Sequence, residues 1–262
     1  MRVCDTHVHS YRSFVGDESM SFQRIAERAS ALHINTIAIT DHLMKPEDID
    51  SLKITRQELS AFRNQRTEVA FLFGVEVCET ASDGQTLLTK QLADEMGFEV
   101  IIGGVHETHM PPGASLEAMA QRQHKHHMLM MENPLIHILV HPWWLDSAEF
   151  QRLGIPWPED MAFLPQALTV QLAHASRSTN TYIEISTLSG LCNRETSPAF
   201  KQGLSDYYRL LNREGALFAI GTDAHTLSDL DTISKAKELI STIGIGEDRL
   251  WQPPARTNGE TK

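Results

Sequence analysis

The sequence predicts an α/β fold of parallel strands, with a closed barrel favoured over an open doubly wound sheet. Three observations carry this expectation. Short apolar runs alternate with helix-length amphipathic stretches along the whole chain, which implies parallel strands joined by right-handed crossovers. No Gly/Ser- or Pro-rich linker divides the 262 residues, and no internal repeat of roughly 20–50 residues recurs. The length also suits one barrel of roughly 250 residues. Residues 1–251 are therefore expected to form a single domain, and 252–262, with two prolines among polar residues, a loose tail.

The elements follow in order. The first apolar run, 3–8, passes through Asp5-Thr6-His7-Val8-His9. Side chains at i, i+2 and i+4 of a strand share a face, so Asp5, His7 and His9 are expected to point the same way and Cys4 to point away into the core. A helix over 21–32 places Ile25, Ala26, Ala29 and Leu32 on one face, with Ser21 as N-cap. The run 36–39 leads into Thr40-Asp41-His42, and 69–77 contains Phe73-Gly74-Val75-Glu76. A helix over 85–96 stops at Gly97. The run 100–105 leads to His106, helix 115–131 follows, and 137–140 leads to His141-Pro142. Helix 163–176, strand 181–185, helix 198–213, strand 216–220 and helix 229–243 complete the pattern. The last strand runs into Gly221-Thr222-Asp223-Ala224-His225.

Composition narrows the function. Hydrophobic residues make up 41% and charged residues 22%, an ordinary globular balance. With 23 Lys+Arg against 34 Asp+Glu the net charge is −11, which argues against a nucleic-acid binder needing basic patches. No apolar run approaches the ~20 residues of a membrane span, and the first residues, MRVCDTH, lack the apolar core of a signal peptide. Cys4, Cys78 and Cys192 form no CxxC pair, which fits a reducing cytoplasm.

Six strand ends carry His, Asp or Glu, whereas His33, His124, His126, His127 and His174 lie elsewhere. In a βα barrel the C-terminal strand ends face the active-site loops. Neutral imidazoles with a minority of carboxylates suit divalent Zn, Mn or Fe better than Ca or Mg. The candidates include no cysteine and are too many for one ion, which points to two or three. Ions about 3.5–4 Å apart can share a bridging hydroxide, a nucleophile at neutral pH.

These residues resemble the PHP (polymerase and histidinol phosphatase) family. The segments are DTHVHS (5–10), TDH (40–42), GVE (74–76), GGVH (103–106), VHP (140–142) and GTDAH (221–225). The resemblance implies a distorted (β/α)7 barrel, TIM-barrel-like, with a trinuclear metal site at the C-terminal mouth. It implies that His7, His9, Glu76 and Asp223 hold one metal, with Glu76 bridging to a second held also by His106 and His141. A third would take His42, His225 and Asp17, with Glu18 the alternative. A metal-bound water, with Glu76 and Asp223, would be the catalytic group. Asp5 would orient a ligand histidine from behind, and Asp41 would do the same or touch substrate. The stretch Glu184-Ile185-Ser186-Thr187 through Arg194 is similar to the histidinol-phosphatase branch, although Ser186 stands where Asn is usual and Arg194 falls three residues late.

Arg194 is the candidate phosphate clamp, and His109 a candidate proton donor at the mouth. His124, His126 and His127 read as a solvated helical face. Trp143 and Trp144 read as core or rim. The expected function is hydrolysis of a small phosphate monoester, histidinol phosphate being a candidate, by a cytoplasmic enzyme. The alternatives are an amidohydrolase-type C–N or lactone hydrolase and a non-catalytic metal-binding module. The oligomeric state is not legible.

Overall fold

The structure, a computed structural model, describes residues 2–65, 67–79 and 84–254. Among the described residues eight parallel strands occur, with helices between all but the second and third: β1 (Cys4–Val8), β2 (Thr36–Ile39), β3 (His42–Leu43), β4 (Ala70–Cys78), β5 (Val100–Gly104), β6 (Ile138–Leu139), β7 (Tyr182–Ser186) and β8 (Phe218–Gly221). The sheet closes on itself, because β1 pairs with both β2 and β8 while β2 also pairs with β4. β3 continues the β2 stave along β4, with His42 beside Glu76, so the ring has seven staves. This is the (β/α)7 barrel expected, and the open-sheet alternative is excluded.

Two apolar layers flank the sheet, as the alternation of side chains along a strand requires. Inside, Cys4, Ala38, Leu72, Val100, Ile102, Ile138 and Ala219 form a small plug with Trp251. Outside, residues such as Ile37, Phe71, Ile101, Leu139, Ile183 and Ile220 meet the helices. Cys4 thus packs in the core as expected. The inner plug fills the lower barrel, so only the C-terminal mouth is free to hold polar groups.

The helices are α1 (Phe22–Ala31), α2 (Asp48–Arg63), α3 (Lys90–Met96), α4 (Leu116–Glu132), α5 (Ser147–Leu153), α6 (Gln166–Thr179), α7 (Pro198–Arg213) and α8 (Ile233–Ile243). α1 buries Phe22, Ile25, Ala26 and Ala29, the stripe its spacing predicts, though Ser21 makes no side-chain cap bond. α3 starts later than expected, at a cap where Thr89 accepts from Leu92 N, and ends at left-handed Gly97. Two helices, α2 and α5, were not foreseen. A single π turn, Thr187–Leu191, follows β7, and a 3-10 turn, Asp229–Thr232, precedes α8.

One expectation about α4 is corrected. His124, His126 and His127 are buried, at 6%, 0% and 1% exposure. His126 pairs with the buried Glu79 carboxylate at 2.5 Å, His124 meets Gln171 at 3.0 Å, and His127 packs edge-on to Trp143. This face of the helix packs on α6 and on Glu79 beyond β4, so these three histidines face protein and not water.

At the C-terminal end, Trp251 is buried and Gln252 donates to the Arg2 carbonyl. The rest of the expected tail, 255–262, lies outside the described residues.

Candidate metal centre

The mouth of the barrel brings together eight of the nine side chains expected there. β4 carries Glu76 to the centre. Its Oε2 lies 3.2 Å from His7 Nε2, 3.5 Å from His9 Nε2 and 3.0 Å from His42 Nδ1. Its Oε1 lies 3.0 Å from His141 Nε2 and 3.3 Å from His106 Nε2. Asp223 Oδ1 closes the other side, 3.3 Å from His7 Nε2, 3.4 Å from His9 Nε2 and 3.7 Å from His225 Nε2. One carboxylate therefore divides the cluster, each oxygen serving a different set of imidazoles.

Local backbone geometry produces this convergence. Along β1 the register against β2 slips between Asp5 and Val8. Asp5 pairs with the outward Ile37, and Val8 with the outward Ile39, so the irregularity turns His7 inward to join His9. A bulge beside a site re-aims a side chain in just this way. Gly104 and Gly221 leave the space. A Cβ at 104 would stand 2.6 Å from His141 Cε1, and one at 221 would stand 1.8 Å from Glu184 Oε1. His141 and Asp223 both sit at positive φ, 31° and 58°, strain of order 1–3 kcal/mol each that the surrounding bonds hold. Asp223 N–H donates to His7 O at 2.9 Å, and His141 N–H donates to Glu184 Oε2 at 2.7 Å.

The slip also corrects the expectation for Asp5. Its carboxylate faces away from His7 and His9, accepting from Thr222 N (3.0 Å), Thr222 Oγ1 (2.7 Å) and the His7 backbone N–H (3.3 Å). It staples β1 to the end of β8 and touches no imidazole ring. Burial pushes its carboxyl up to about 7, against those hydrogen bonds. The residue behind His7 is Glu184, whose Oε1 is 2.9 Å from His7 Nδ1. Sequence reading placed Glu184 in a motif but gave it no role. An inward carboxylate in the middle of an otherwise apolar strand is the signal that could have found it.

Asp41 is buried and accepts from Ser10 N and Oγ, both at 2.7 Å, and from Thr55 Oγ1, which fixes the chain leaving β1. It lies behind the donors and does not line the cavity. Asp17 is exposed, and its Oδ1 accepts from Ser19 N at 2.7 Å. Its backbone N–H bonds to the His225 carbonyl at 2.9 Å, so the loop is adjacent while the carboxylate turns away. Glu18 is exposed as well. In their place His9 stands with His42 and His225, its ring stacked on both at 4.5 and 4.7 Å. His109 does not line the cavity; its ring faces His126 at 6.3 Å and Glu107. Cys78, absent from the expected set, approaches His42 and His106 from the same face of β4 as Glu76.

The electrostatics call for positive charge. Burial would raise Glu76, but His42 and His7, with bonds from His106 and His141, hold it well below the usual carboxylate range. Burial opposes ionisation of Asp223 too, and His7 foremost keeps it lowered. Burial would lower His7, yet Asp223, Glu184 and Glu76 hold it well above an ordinary imidazole. Burial takes His42 down to about 3. His42 Nδ1, which faces Glu76, is buried without an aligned hydrogen-bond partner. Donor groups spaced to share one ion are His7–His9–Glu76, Glu76–His106–His141, His9–His42–His225 and, with a cysteine, His42–Cys78–His106. Clustered carboxylates, facing nitrogens 3.2 Å apart on His7 and His9, and the orphaned His42 Nδ1 fit divalent cations.

Above the donors opens a cavity of about 760 Å³, lined by Phe14, Met44, Trp144, Leu188, Arg194 and Asp229 among others. Trp144 walls it, 5.5 Å from His106, while Trp143 is core. A depression of about 860 Å³ between α6 and α7 holds Arg209 and Arg213 but no histidine, so the chemistry lies with the smaller cavity.

A parallel seven-stave barrel with histidines and carboxylates gathered at its C-terminal mouth defines the class. The PHP domain model matches residues 5–154, more than half of the chain, and the chain belongs to that family. The match spans every donor from His7 to His141; Asp223 and His225 lie beyond it and are supplied by β8 and its exit. The chain is 23% identical over 253 residues to "Probable phosphatase" of Thermoanaerobacter sp. (strain X514), covering 94% of this chain and 88% of the relative. It is 24% identical over 258 residues to "Probable phosphatase" of Syntrophotalea carbinolica, covering 94% and 90%. Histidinol phosphate phosphatase from Lactococcus lactis, solved with zinc, L-histidinol and phosphate, shares the fold at TM-score 0.63 and 18% identity, covering 94% of this chain and 95% of that one. Among the described residues no helix is long and apolar enough to cross a membrane.

Proposed function

We propose that this protein is a metal-dependent phosphatase of small phosphate monoesters, with histidinol phosphate a candidate substrate. The observation that carries the reading is Glu76, whose two oxygens face two separate sets of imidazoles. His7, His9, Glu76 and Asp223 would hold one ion, Glu76, His106 and His141 a second, and His42 with His225 a third. When bound, such ions supply positive charge to phosphate oxygens and an activated water.

The chain's own residues prepare the site. Glu184 accepts from His7 Nδ1–H and so directs the Nε2 lone pair to the cluster, the usual role of a carboxylate behind a ligating histidine. Arg194, at the cavity wall, can grip two phosphate oxygens through its planar fork. Trp144 and Leu188 form an apolar wall above the donors. The family, the relatives named as phosphatases and the neighbour's bound phosphate all support this bond. No lysine lines the cavity among the described residues, so the carboxylated lysine expected of an amidohydrolase-type site has no candidate.

Purified protein supplied with Mn²⁺ or Zn²⁺ should release phosphate from p-nitrophenyl phosphate. His7→Ala should reduce kcat/KM at least about 100-fold, the scale of losing a positioned electrostatic group. Full activity in that variant would refute the assignment.

A further inference from the structure

Only four large hydrophobic side chains stand exposed among the described residues, and three of them line this one cavity: Phe14 (63%), Met44 (40%) and Val15 (37%). Scattered singly, exposed apolar residues carry no message, but a cluster marks a binding surface. These three belong to the loops after β1 and β3, and they rim the same opening that the donors floor. The Phe14 ring leans on His42 at 5.1 Å, and the Trp144 ring leans on His106 at 5.5 Å and His141 at 5.9 Å. Aromatic faces thus stand at both ends of the histidine row, with Leu188 on the wall contributed by β7's exit. The cavity, about 760 Å³, is far larger than a phosphate group alone requires.

Charge narrows the occupant further. Arg194 is the only Lys or Arg side chain lining the cavity among the described residues, against Asp146, Glu195 and Asp229 above the donors. A second phosphate or a carboxylate on the substrate would meet repulsion with one cation to offset it. A body without negative charge and with an apolar face avoids that repulsion and displaces water from the rim.

We infer that the leaving group of this enzyme's substrate is an aromatic alcohol that carries no negative charge, held against Phe14, Met44 and Trp144 while its phosphate reaches the donors. The inference rests on the phosphatase reading and names the substrate class that reading leaves open. In the reaction the ester P–O bond breaks, the oxygen of water ends on phosphate, and a proton from that water ends on the released alcohol.

Benzyl phosphate and ethyl phosphate test it, because their alcohols are of similar acidity and differ chiefly in the ring. Metal-loaded wild type should hydrolyse the benzyl ester with a kcat/KM at least about tenfold higher, the scale of taking a ring's apolar surface out of water. Phe14→Ala and Met44→Ala, both at exposed positions, should each lower that ratio by roughly threefold or more. Calorimetric titration should show benzylphosphonate binding at least about tenfold tighter than methylphosphonate, narrowing by a similar factor in both variants. A ratio near one in wild type, or a ratio unchanged in both variants, would overturn the inference and leave the phosphatase reading standing. If metal-loaded protein hydrolyses neither ester, the phosphatase reading falls and the inference with it.

Discussion

Glu184 serves two neighbours at once. Its Oε1 meets His7 Nδ1 at 2.9 Å and its Oε2 accepts the His141 N–H at 2.7 Å. Glu184→Gln keeps the shape but turns one acceptor into a donor, facing either an imidazole N–H or a backbone N–H. The expected result is a loss of metal affinity of about 10- to 100-fold, measured by competition with a chromogenic chelator, with the far-UV circular dichroism retained. Unchanged affinity would remove Glu184 from the site. Gly221 is tied to the same carboxylate. A Cβ there would stand 1.8 Å from Oε1 and 2.9 Å from His7 Cβ, so Gly221→Ala should cost about 1–3 kcal/mol in urea denaturation and weaken metal binding. At this scale the sequence revealed the donors themselves, because His, Asp and Glu stand out wherever apolar strands end. It did not reveal which way they point. Strict alternation puts Asp5 with His7, and only the slip between Asp5 and Val8, which leaves no trace in composition, separates them.

Among the elements, β7 and α7 show how a strand carrying a buried carboxylate is held. Tyr208 on α7, fully buried, donates to the Glu184 carbonyl at 3.0 Å and accepts from Ser186 N at 3.2 Å. Tyr208→Phe would leave both backbone groups unpaired in the interior. A loss of about 1–3 kcal/mol in the unfolding free energy is expected, and a loss below about 0.3 kcal/mol would show that these bonds carry little. Most elements were legible from periodicity, since α1 and α7 bury clear apolar stripes. α2 was not, because Thr55 takes an inward position while Ile54 is 44% exposed, which blurs the stripe. α5 escaped because it is short, Ser147–Leu153, and is started by Asp146 accepting from Ala148 and Glu149 N–H. The histidines of α4 misled for a different reason. Polar spacing looks alike whether a helix faces water or a buried partner such as Glu79, which is distant in sequence.

For the molecule as a whole, the donors answer to bound ions. Imidazoles ligate only when neutral, so protons compete with the ions for these donors and acid expels metal. The stabilisation that binding contributes is present while the ions are held and is lost as acid displaces them. An ion held at 100 times its Kd adds about 2.7 kcal/mol. Chelation at pH 7.5 should therefore lower Tm by several degrees, and at pH 5 it should change Tm little. Equal shifts at both values would contradict metal ligation by these residues. The barrel itself was readable from alternation and length, but closure was not. Only the pairing of β1 with β8 and of β2 with β4 distinguishes a ring from an open sheet.

That seam joins the two extremes of the chain. Asp223 and His225 reach His7 and His9 only after β8 has docked beside β1. During synthesis, a nascent chain that has emerged only as far as the fifth or sixth stave carries most of the imidazoles without their final counter-charge. A chain cut before β8 would keep the Glu76–His106–His141 set but would strip Asp223 and His225 from the other two, so truncation there dismantles the centre selectively.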